Sequence, residues 1–177
     1  MPRRLKILCV CSDNAVLSPM AQAFLSRHGG DRFDVHSAGI DPIGIDPLTV
    51  LVMAEVGYDL SGRQSGDLDR HWGRTPPDYL VVVDSQADAA LPAPWPRPGR
   101  RIYWPLETSV DASSKEERLA EFRRIRDRID RGSLSLCSLM LARSRGDGSW
   151  AITAGQSQSL ADGYALATPC GHVRSES

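Results

Sequence analysis

At 177 residues, with 41% apolar and 24% charged side chains, the chain has room for one well-packed domain plus a tail, and its composition is that of a globular protein. Twenty-one basic against 22 acidic residues leave a net charge of −1, which argues against a dominant nucleic-acid surface. No apolar run is long enough to span a bilayer, the run behind the basic start is too short for a secretion signal, and four cysteines make no disulfide framework, so no membrane association and a cytoplasmic setting are expected.

Leu5 to Cys11 is a nearly unbroken apolar run, the pattern of a strand buried on both faces. Ser18-Pro19 then reads as a helix start, with Ser18 as N-cap, Met20, Ala23, Phe24 and Leu25 facing inward, and Gly29-Gly30 as the stop. Phe33 to Ser37 alternates as a second strand. Asp46-Pro47 caps a second helix with Leu48, Leu51, Val52 and Val56 on one face, ending at Gly57. Asp67 to Trp72 offers one or two further turns. Tyr79 to Val83 is the clearest buried strand, followed by a short helix over Ser85 to Leu91, a proline-rich loop from Pro92 to Pro98, and a fourth strand at Arg101 to Trp104.

From Ser114 to Arg131, Leu119, Phe122, Ile125 and Ile129 recur at helical spacing, and Arg123–Asp127 and Asp127–Arg131 are opposite charges at i,i+4. Its arginines read as a solvated face. Residues 132–177 carry only six charges in 46 residues and sustain no period. The domain is therefore expected over 1–131, with a helix extension around Leu134 to Leu141 and a flexible tail from Gly146 making up 132–177. Strands alternating with helices predict an α/β fold, with a parallel sheet covered on both faces.

The stretch from Cys11 to Pro19 leaves the first strand and enters the first helix. The backbone N–H groups of Ser12, Asp13, Asn14, Ala15, Val16, Leu17 and Ser18 can curl around an anion, and the helix N-terminus adds partial positive charge. Cys11 at the strand's end faces the same point, where that field favours its thiolate. Asn14 tolerates a left-handed backbone. The same residues also fit a plain βα loop that holds one buried cysteine.

This loop resembles that of the low-molecular-weight protein tyrosine phosphatases and the thioredoxin-coupled arsenate reductases. Their motif V-C-x-x-N-x-x-R-S-P-M-A meets Val10-Cys11-Ser12-Asp13-Asn14-Ala15-Val16-Leu17-Ser18-Pro19-Met20-Ala21. The resemblance continues through Ser37-Ala38-Gly39, the helix from Val50 to Gly57, Asp78 to Asp84 and Tyr103-Trp104-Pro105, covering about residues 5–131. It implies a four-stranded parallel sheet in the order 2-1-3-4, as in the phosphotyrosine phosphatase I fold, with helices on both faces and the site at the strands' carboxyl ends. It also implies that Cys11 is a nucleophile forming a cysteinyl-phosphate, that Asn14 fixes the loop and that the Ser18 hydroxyl stabilises the thiolate.

The chain departs from the motif at two functional positions. Leu17 stands where the family has an arginine that grips two phosphate oxygens, and Thr108, next to Glu107, stands where it has the general-acid aspartate. Losing such a cationic clamp costs phosphoryl transfer about 10³ to 10⁵ in rate, and losing a general acid about 10² to 10⁴. Asp13 adds a negative charge beside Cys11.

Three functions follow, in decreasing order of support from these residues. One is a relative that binds phosphate or another oxyanion, on a phosphorylated protein or a small ester, with impaired catalysis. The second is an active phosphatase working through Cys11. The third is a redox enzyme of the arsenate-reductase kind, which the resemblance ties to resolving thiols after the third strand. Asp84 to Leu91 has none there, and Cys137 and Cys170 lie elsewhere. No cofactor is expected, and no metal: Cys9-Val10-Cys11 and Cys170-Gly171-His172 lack zinc-site spacing. Cys9 reads as a core residue, and His28, His36, His71 and His172 as surface, helix-end or tail residues. Trp72, Trp95, Tyr103 and Trp104 fit either a cleft wall or the packing of loops on the sheet.

Overall fold

The computed structural model describes residues 3–68, 76–92, 99–106, 114–144 and 165–166. Strand β1 (Leu5–Cys11) leads to helix α1 (Leu17–Gly29), a short 3₁₀ turn and strand β2 (Phe33–Gly39). Helix α2 (Pro47–Ala54), strand β3 (Tyr79–Val82), helix α3 (Ser85–Ala90), strand β4 (Arg100–Tyr103), helix α4 (Lys115–Ser144) and strand β5 (Ala165–Leu166) follow. The sheet order is β2-β1-β3-β4-β5. The first four strands are parallel, in the order the resemblance implied. The fifth is an addition to the expected four: it pairs antiparallel with β4 through Ile102–Leu166 and Tyr103–Ala165.

Strand periodicity divides the core in two. Ile7, Cys9 and Cys11 of β1, with Tyr79 and Val81 of β3, face a large apolar cluster that includes Met20, Phe24, Val52, Phe122, Ile129, Leu136 and Met140 of α1, α2 and α4. Leu8 and Val10, with Leu80 and Val82, face a smaller cluster completed by Ala87 and Leu91 at α3. A central strand covered on both faces needs apolar residues at every position, which is why Leu5 to Cys11 shows so little alternation.

Several local expectations change. The N-cap of α1 is Val16, with no side-chain cap bond, because the Ser18 hydroxyl is committed elsewhere. Asp46 does cap α2 by accepting from the Leu48 N–H. That helix buries Thr49, Val52 and Met53, however, and leaves Leu51 47% exposed. Helix α4 passes Arg131 without a break and continues to bury Gly132, Ser133, Leu136, Cys137 and Met140. Its arginines do not form the expected i,i+4 pairs with Asp127. Arg123 instead clamps both carboxylate oxygens of Glu55 at the end of α2, at 2.6–3.1 Å. Arg126 is buried and reaches the Val52 carbonyl at 3.0 Å, Glu55 at 2.9 Å and Asp127 at 2.8 Å. The turns expected after Asp67, the proline-rich loop and most of the tail lie outside the described residues. No helix among the described residues is long and apolar enough to cross a membrane.

Candidate functional site

The loop between β1 and α1 lies at the carboxyl end of the sheet, and its orientation follows from where its carbonyls go. The carbonyls of Cys11, Ser12, Asp13 and Ala15 point away from the loop's interior. These oxygens accept outward from the N–H groups of Ile40, Asp41, Ile43 and Asp46, at 3.1, 2.8, 3.1 and 3.1 Å. Across a planar peptide the C=O and the following N–H point in opposite directions, so pulling the carbonyls outward turns amides inward. Space is tight on that outer side: a Cβ on Gly39 would lie 3.0 Å from the Asn14 backbone nitrogen.

Asn14 takes the left-handed conformation, with φ of 51°. Its side chain is buried and works in both directions, donating from Nδ2 to Ser18 Oγ at 2.9 Å and accepting at Oδ1 from the Gly66 N–H at 3.2 Å. Ser65 Oγ adds a bond to the Asn14 carbonyl at 3.0 Å. Ser18 Oγ in turn lies 2.8 Å from Cys11 Sγ, and the Asn14 N–H points at the same sulfur from 3.2 Å. Cys11, Asn14 and Ser18 therefore form one connected cluster.

The loop's other two bonded amides are already taken by carboxylates. Asp84, at the end of β3, accepts from the Ser12 N–H at 2.7 Å and from Ser12 Oγ at 2.8 Å while capping α3 through the Ala87 N–H. Asp13 Oδ1 accepts from the Ala15 N–H at 3.0 Å and lies 3.7 Å from Cys11 Sγ. Asp84 is not a site residue expected from the sequence, where it closes the resembling segment Asp78 to Asp84 and precedes Ser85 at an N-cap position.

Burial works against the expected thiolate. Cys11 is 1% exposed, and burial pushes its thiol up to about 11. The bonds from Ser18 and Asn14 oppose that rise, while the charge of Asp13 reinforces it. Desolvation is the largest of these influences, and the Ser18 and Asn14 bonds act against it.

An open cleft of about 480 Å³ runs along the loop, walled by Ser12, Asp13, Leu17, Asp84, Tyr103 and Phe122 among others. Its charged lining residues are Asp13 and Asp84, with no cation among the described ones. Leu17 is buried and packs into the larger core cluster; Val16 is half-buried at the cleft's edge and Ala15 is buried. Tyr103 lines the cleft, whereas Trp104 is buried in the core. Glu107, Thr108, Trp72, Trp95, His71, Cys170 and His172 lie outside the described residues. His28 pairs with Asp130 and His36 with Asp34, neither at the loop. Cys9 and Cys137 are buried core thiols, and no group of three His, Cys, Asp or Glu among the described residues is placed to hold a metal.

Residues 6–144 match the family model of low molecular weight phosphotyrosine protein phosphatase. An arsenate reductase of Halalkalibacterium halodurans is 34% identical over 124 residues, spanning 70% of this chain and 88% of that one. Among solved structures, an arsenate reductase in its oxidized state superposes with a TM-score of 0.62 at 25% identity, over 76% of this chain and 98% of that one. The YwlE arginine phosphatase of Geobacillus stearothermophilus shares the fold, with a TM-score of 0.61 at 19% identity over 81% of this chain and 97% of its own.

Proposed function

Because this chain belongs to the low molecular weight phosphotyrosine protein phosphatase family, we propose that it is an oxyanion-binding member whose Cys11 chemistry is impaired. The observation that carries this reading is Leu17, packed into the apolar core where the motif calls for a guanidinium. The amides that the outward carbonyls turn inward, together with the start of α1, supply partial positive charge for phosphate or another oxyanion in this reading. They supply no bidentate fork to hold two oxygens as negative charge builds on a transferring phosphoryl group.

Attack on phosphorus also needs the thiolate, which the burial of Cys11 disfavours. Thr108 offers a hydroxyl where a carboxylic acid would protonate the leaving group, and Glu107 is one residue out of place. The ligand in this reading is a phosphorylated protein or small phosphate ester, bound through its phosphate. Relatives called arsenate reductase suggest arsenate as a further oxyanion, but Asp84 to Leu91 carries no thiol to resolve an oxidised Cys11.

The intact contact of Ser18 with Cys11 favours a second reading, an active phosphatase working through a Cys11 cysteinyl-phosphate. Turnover of an aryl phosphate by wild type and by Cys11→Ser separates the two. Equal, near-background rates are expected. Turnover that depends on Cys11 overturns the impaired reading in favour of the second.

A further inference from the structure

The loop contains an anion of its own. Asp13 Oδ1 accepts the Ala15 N–H at 3.0 Å and stands 3.7 Å from Cys11 Sγ. An external oxyanion held by that amide and presented to that sulfur would have to use the same place. No cationic side chain among the described cleft residues offsets a second anion there. Leu17 is apolar, the Ser12 amide and hydroxyl are occupied by Asp84, and both charged residues on the cleft wall are carboxylates.

We propose that the Asp13 carboxylate is the loop's resident anion, a built-in competitor that an oxyanion must displace from the Ala15 amide before it reaches Cys11. Asp13 is thus a determinant of ligand affinity and not only a turn-forming residue. This rests on the reading of the loop as an oxyanion site. It adds that the site is weakened twice, by the cation it lacks and by the carboxylate it holds. Displacement has two components. The carboxylate gives up a charge-assisted hydrogen bond, and the incoming anion then lies beside it at close range, where like charges repel.

The sign of a substitution separates this role from a structural one. If Asp13 only shapes the turn through its bond to Ala15, removing it disorders the loop and weakens anion binding. If it is the resident anion, removing it frees the amide and strengthens binding. Asp13→Ala removes both the charge and the acceptor, whereas Asp13→Asn removes the charge but keeps an oxygen that can still accept from Ala15. Leu17→Arg adds the missing cation and reports on the loop independently.

The test is titration of inorganic phosphate and vanadate into the full chain, followed by calorimetry and by the backbone amide resonance of Ala15. Asp13→Ala is expected to bind about tenfold to a hundredfold more tightly than wild type, the loss of one charged hydrogen bond expressed as affinity. Asp13→Asn should show a smaller gain, and it remains decisive if the alanine variant fails to fold. The Ala15 resonance should move with phosphate in both variants at concentrations that leave it unchanged in wild type. Unchanged or weaker binding in the Asp13 variants, with tighter binding in Leu17→Arg, overturns the resident anion and leaves the oxyanion site standing. If neither Asp13→Ala nor Leu17→Arg gains affinity, both readings fall.

Discussion

The Ser18 hydroxyl lies 2.8 Å from the Cys11 sulfur, with both side chains sealed from water. Asn14 Nδ2 donates to the same hydroxyl oxygen, and the Ser18 proton has the sulfur at 2.8 Å and the Ala38 carbonyl at 3.5 Å as acceptors. The one hydroxyl at the start of α1 therefore serves the thiol and not the helix. The consequence is measurable. Alkylation of Cys11, followed by mass spectrometry of its peptide, should rise with a midpoint at about pH 11. In Ser18→Ala the midpoint should move higher still, because the largest opposing influence on the desolvated thiolate is gone. A wild-type midpoint near neutrality would show that the loop stabilises the thiolate after all.

What the sequence made legible here were features set by local chemistry. β1 and β3 are unbroken apolar runs, and Asn14 is among the few residues that accept a left-handed backbone without strain. What was missed depends on neighbours distant in the chain. Spacing alone makes Ser18 a cap, and only the family resemblance pairs its hydroxyl with Cys11. Asp84 meets Ser12 across 72 residues, and no spacing rule links them. Helix-start electrostatics can be read from a motif, whereas the desolvation that raises the Cys11 thiol comes from the packing around the sulfur. The sustained helical period ends at Arg131 in the sequence, yet Gly132 and Ser133 are buried inside α4.

Arg123 and Arg126 bind the same carboxylate but should differ sharply in what they contribute. Arg123 has a side chain 45% exposed, and its removal to alanine should leave stability nearly unchanged, as for other solvated ion pairs. The Arg126 side chain is 10% exposed and also satisfies the Val52 carbonyl. Arg126→Ala should cost about 2–3 kcal/mol, since it strands that oxygen and removes a charged bond. Denaturant midpoints of the two variants check this, and equal losses would contradict it.

Glu55 gives that clamp a pH signature. Its hydrogen bonds from Arg123, with those from Arg126, hold its carboxyl down at about 2. The unfolded chain returns it to about 4.3. A carboxyl depressed in the folded state stabilises fully above the unfolded value, and the contribution is lost as pH falls through the folded one. The melting temperature of wild type should therefore exceed that of Glu55→Gln at neutral pH, with the gap closing below about pH 4.3 and gone near 2. A gap of constant size across this range would show that the carboxylate charge is not what α4 grips.

Asn14 combines a backbone role and a side-chain role, and two substitutions separate them. Asn14→Gly keeps the positive φ at no steric cost but removes the bonds to Ser18 and from Gly66. With the Gly66 N–H left unpaired, a loss of about 1–3 kcal/mol is expected. Asn14→Ala loses the same bonds and also forces a Cβ-bearing residue without local compensation into the left-handed region, adding about 1–2 kcal/mol. Stability should therefore fall in the order wild type, glycine, alanine, as read from denaturant unfolding. If the alanine variant equals or exceeds the glycine variant, the loop in solution does not hold position 14 left-handed. The inward turn of the amides around Cys11 would then lack the residue that sets it.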